Sequence, residues 1–80
     1  MAKYYWIRVG KGSQGEIWLK MSHKTGLPVL TLKVKRVKGY INGLPKYEAR
    51  LYDRKGRLVK KIVRGGRLNA VKAGKGLKAY

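Results

Sequence analysis

Tyr4, Trp6 and Arg8 alternate along one short stretch, and Trp18 and Lys20 do the same further on. Flat rings set between cations can stack on bases or wedge into a groove while Lys and Arg hold phosphates. If Tyr5, Ile7 and Val9 pair with Ile17, Leu19 and Met21 to face a core, then Tyr4, Trp6, Arg8, Trp18 and Lys20 share the outer face. The opposite assignment places both tryptophans in the core, where large rings usually go. Lys33 and Lys35 alternate in the same way on a later segment and would meet phosphates as a pair, with Arg36 and Lys38 near its end. Lys11 in a glycine-rich stretch, Arg50, Arg64, and the C-terminal Arg67, Lys72, Lys75 and Lys78 complete the candidate nucleic-acid-binding set.

Charge makes a polyanion the leading partner. Twenty-one of the 80 residues are Lys or Arg, three are acidic (Glu16, Glu48, Asp53), and the formal net charge is +18. Such a surface repels itself, and a phosphate backbone relieves the repulsion while releasing counterions. From Arg54 onward there are ten Lys or Arg and no acid. Charge alone does not separate nucleic acid from an acidic protein, an anionic membrane or a glycan.

The chemistry of catalysis and cofactors finds little to work with. Acid–base or two-metal catalysis needs clustered carboxylates, and the three acids are scattered, with Asp53 assigned to a turn. His23 has no second His and no Cys near it, and the chain has no Cys at all, so neither a metal site nor a disulfide is expected. Gly10-Lys11-Gly12-Ser13-Gln14-Gly15 spells GxGxxG, yet the following Glu16-Ile17-Trp18-Leu19-Lys20 reads as a strand where a dinucleotide fold needs a helix. That stretch reads instead as a basic hairpin tip whose N–H groups and Lys11 could approach phosphates. No enzyme activity, cofactor or metal is expected.

These side chains need a sheet to position them. Lys3 to Val9 and Glu16 to Met21 read as a hairpin, and Val29 to Arg36 is the clearest strand, with Leu30, Leu32 and Val34 on one face and Thr31, Lys33 and Lys35 on the other. Val37 to Pro45 reads as a loop because it holds Gly39, Asn42, Gly43 and Pro45. Tyr47 to Tyr52 alternates Tyr47, Ala49 and Leu51 against Glu48, Arg50 and Tyr52, and Asp53-Arg54-Lys55-Gly56 has the makeup of a type I turn closed by a left-handed glycine. Leu58 to Arg64 then reads as the return strand, although its apolar spacing also fits a helix.

The expected architecture is all-β: a small single domain of about five strands over residues 1–66, an SH3-like or OB-like bent sheet or partly open barrel. Residues 67–80 are expected to form a flexible basic C-terminal tail. The expected function is that of a small, non-enzymatic DNA-binding protein, architectural or regulatory, with DNA favoured over RNA. The alternatives are an RNA-binding or ribosome-associated module and a virus-encoded factor docking on an acidic protein surface. No apolar run reaches the length of a membrane span and the first residues lack a signal-peptide core, so the expected location is cytoplasmic, nucleoid-associated or virus-encoded. Oligomeric state stays open.

Overall fold

The computed structural model describes residues 3–12 and 15–77. Five antiparallel strands, β1 (Tyr4–Gly12), β2 (Gly15–Ser22), β3 (Pro28–Ile41), β4 (Leu44–Tyr52) and β5 (Leu58–Gly65), form one open sheet in the order β1-β2-β3-β4-β5, and helix α1 (Arg67–Lys75) follows. The expectation of a small all-β domain of about five strands therefore holds. β1 and β5 are the two edges. Both carry basic side chains, Arg8 and Lys11 on one and Lys60, Lys61 and Arg64 on the other, which discourages edge-to-edge pairing.

The Asp53 turn forms as its residues demand. Asp53 Oδ1 accepts the backbone N–H groups of Lys55 and Arg57, both at 2.9 Å, and Gly56 takes φ 81°. The Arg57 N–H is the main reason the Asp53 carboxyl lies below the usual carboxylate range; slight burial opposes it, and the Lys55 N–H and Arg57 side chain add to it. The segment expected as a loop, Val37 to Pro45, is mostly strand. Asn42 (φ 50°) and Gly43 (φ 79°) are both left-handed and close a tight hairpin between β3 and β4, the turn that an Asn-Gly pair favours.

The core lies on one side of the sheet. Leu32, Ala49 and Leu51 are fully buried, with Leu30, Val34, Ala70 and Val71 beside them. The last two come from α1. Residues 67–75 are thus a packed helix and not the expected mobile tail. The expectation missed this because the stripe that α1 buries has one strongly apolar residue, Val71, beside Ala70 and Gly74, which bury by being small, while Leu68 is 71% exposed. Gly74 makes the approach possible: a Cβ there would stand 2.7 Å from Leu32 Cδ1 and 3.1 Å from Ala49 Cβ. The close contact offsets the roughly 1 kcal/mol that a glycine costs inside a helix.

A second expectation is reversed by the register. Trp18 lies opposite Leu32 and Lys20 opposite Leu30, so both share the helix side with the core. Tyr4, Trp6 and Arg8 join them by pairing with Ser22, Lys20 and Trp18. Tyr5, Ile7, Ile17, Leu19 and Met21 consequently occupy the other side, which no element covers among the described residues. Val9 does neither: it is the extra residue of a bulge between Arg8 and Gly10, and it is exposed. No helix among the described residues is long and apolar enough to cross a membrane.

Candidate nucleic-acid interface

On the helix side, Tyr4, Trp6, Arg8, Trp18 and Lys20 come together on one face as their spacing predicts, but they serve as the margin of the core. Both tryptophans are half-buried and packed against it. Their ring faces are occupied by this chain's own cations: Lys75 Nζ sits 3.6 Å from the Trp18 centroid, and Lys20 Nζ lies 5.9 Å from Trp6 and 5.1 Å from Tyr4.

Glu16 ties this margin together. It is only 3% exposed, its Oε2 accepts the Trp18 indole N–H at 2.9 Å, its Oε1 accepts from Arg67 Nη1, and Arg8 Nη1 stands 3.9 Å away. Burial pushes its carboxyl up, but the Trp18 bond, the charge and bond of Arg67 and the charge of Arg8 outweigh that and leave it below the usual glutamate value. Gly15 lets the strand come this close, since a Cβ there would lie 1.8 Å from the Val34 carbonyl oxygen and φ is 129°.

The uncovered side has a different makeup. Lys33 pairs with Arg50 and Arg50 with Lys61, so three cations stand side by side across β3, β4 and β5. Adjacent strands are about 4.8 Å apart, which places the Cα atoms of Lys33 and Lys61 roughly 10 Å apart. Like charges directly opposite one another destabilise a sheet. Glu48 offsets part of this by accepting from Arg50 Nε, and Lys33 Nζ rests 5.2 Å from the Tyr52 ring centroid. Lys35 pairs with Glu48 on the next rung.

All three carboxylates of the chain are held by arginines: Glu16 by Arg67 and Arg8, Glu48 by Arg50, and Asp53 by Arg57. Among the described residues no lysine is in an ion pair. Lys20, Lys33 and Lys75 lie over aromatic rings instead, and the charge of the described lysines is not offset by a carboxylate.

The remaining candidates are dispersed. Arg36 lies over Tyr40 at 5.8 Å near the end of β3, with Lys38 exposed beside it. Arg64, whose Nη1 donates to the Val63 carbonyl at 2.8 Å, and Lys72 border a shallow hollow with Ile41, Leu44 and Asn69 on the helix side. Lys11 is exposed near the β1–β2 turn, Arg67 is held by Glu16, and Lys78 lies outside the described residues. A larger hollow of about 630 Å³, floored by Leu30 and Leu77 and rimmed by Tyr4, Lys20, Arg54 and Arg57, also opens on the helix side, with Asp53 in its wall.

Reading single strands missed Lys61 and Tyr52. Counting back from the Asp53 turn sets Arg50 beside Lys60, and the bulge at Val59 moves the pairing on by one residue to Lys61, so that count gives no signal for it. Comparison with protein-family models, curated proteins and solved structures finds no match.

Proposed function

We propose that this protein is a non-enzymatic nucleic-acid-binding protein, with DNA the favoured partner, and that it binds through the uncovered face of its sheet. The observation that carries the reading is the cationic rung Lys33–Arg50–Lys61. A folded chain that sets three cations abreast with one carboxylate, Glu48, among them raises its own free energy, and a phosphate backbone laid across the rung lowers it. Tyr52 and Lys35 flank the rung and extend the contact. No catalytic step is assigned, because each carboxylate already accepts from an arginine and His23 packs its ring against Tyr5 at 4.5 Å. A regulatory or architectural role follows from backbone contacts without base-edge readout.

The test is a titration of a fluorescent DNA oligonucleotide at several salt concentrations. If about five phosphates are neutralised, log K falls against log salt with a slope near −4 to −5. Binding that does not respond to salt contradicts the mechanism. Binding of acidic polypeptide in place of DNA points to a protein partner instead.

A further inference from the structure

We infer that the strand taken by the uncovered face is unpaired, with its bases on the β1–β2 half and its phosphates on the β3–β5 half. The inference rests on the nucleic-acid reading above and goes beyond it by naming the form of the ligand.

The face is divided along the strand direction. Its β1–β2 half presents Tyr5, Ile7, Ile17, Leu19 and Met21, with Ile17 38% and Tyr5 37% exposed. Its β3–β5 half presents Lys33, Lys35, Arg50 and Lys61, with Glu48 and Tyr52 among them. The register joins the halves rung by rung: Ile17 lies beside Lys33, and Leu19 beside Thr31 and then Tyr52.

A contiguous apolar patch on a chain of this charge marks a binding surface, since neither solubility nor the core calls for it. A second copy of the chain laid rung on rung over the whole face would set its cations against these. Duplex DNA fits only half of it. A duplex shows phosphates and groove edges and keeps its base planes stacked inside, so the apolar half would lie against sugar, phosphate and water. An unpaired strand exposes phosphates along one side and flat, weakly hydrated base planes along the other. That division matches the face, with Tyr5 and the aliphatic side chains under the bases and the lysines under the backbone.

The experiment compares three probes on the unaltered protein at one ionic strength: an oligothymidylate of about 20 nucleotides, a mixed-sequence duplex of equal length and anionic phospholipid vesicles. The inference expects the oligothymidylate to bind at least about tenfold more tightly than the duplex. The variant Ile17→Thr/Leu19→Thr, which keeps β-compatible side chains, should lose about tenfold on oligothymidylate and less than about twofold on duplex. Its melting curve shows whether it is folded. Duplex bound as tightly as the single strand overturns the inference and leaves the nucleic-acid reading standing. Binding of vesicles but neither oligonucleotide overturns both.

Discussion

The two faces of the sheet contain similar residues and use them oppositely. On the helix side, aromatic rings and cations engage one another: Lys75 covers Trp18, Lys20 lies over Tyr4 and Trp6, and Glu16 gathers Trp18, Arg67 and Arg8. On the uncovered side, Lys33, Arg50 and Lys61 are abreast with, among the described residues, only Glu48 to compensate them, next to an apolar half that no described element covers. A basic aromatic cluster is therefore a poor marker of a binding surface by itself. What marks one is charge and apolar area left unmatched after the fold is complete.

The largest effect that separates the faces should come from the buried side. Leu32→Ala removes a fully buried side chain that packs against α1 and should cost about 2–5 kcal/mol of stability, read from urea denaturation. In a domain of this size that is much of the total. Binding by the fraction that stays folded should be unchanged. Weakened binding by folded variant would mean that the core side contributes directly.

Gly74→Val should cost about 1–3 kcal/mol, because its Cβ would press on Leu32 and Ala49 and lift α1. A variant that melts like the parent would show that the helix is not tightly seated.

Glu16→Gln should cost about 1–2 kcal/mol, kept small because Arg67 and Arg8 are both half-exposed and can hydrate. Its pH dependence sharpens the point. The folded carboxyl lies below its unfolded value, so Glu16 contributes its full stability above the ordinary glutamate pKa of about 4.3 and loses it as pH falls through the lower folded value. The stability gap between parent and variant should therefore narrow progressively as pH falls below the ordinary glutamate value. A gap that persists in acid would place the stabilisation in packing and not in charge.

The smallest effect is spectroscopic. Both tryptophans belong to the helix side, so adding DNA should change their fluorescence by about a tenth or less, whereas stacking on bases would quench it strongly. Strong quenching would move the interface to the face of Trp6 and Trp18.

Much of this arrangement was legible in the residues. The alternation of Leu30, Leu32 and Val34 against Lys33 and Lys35 placed β3 as far as Arg36 and its faces correctly, and Asp53 to Gly56 announced their turn. The grouping of Tyr4, Trp6 and Arg8 with Trp18 and Lys20 was legible as well. Which side they faced was not. Both sides of β1 and β2 carry large apolar residues, so alternation there is symmetric, and the choice is made by Trp18 meeting Leu32 on a neighbouring strand. The helix escaped notice because Ala70 and Gly74 bury by being small. The Asn42-Gly43 turn was lost among neighbouring glycines and Pro45, which together suggested a loop where two strands meet.

One comparison tests the central claim most directly. Lys33→Glu/Lys61→Glu on the uncovered face and Arg64→Glu/Lys72→Glu on the helix side alter the net charge equally, so any diffuse electrostatic loss is common to both. DNA affinity at one fixed salt concentration then reports position alone. The account predicts a loss at least about tenfold greater for the uncovered-face pair, with both proteins folded. Equal losses would contradict it, showing that the charge acts as a cloud around the whole chain with no interface on that face.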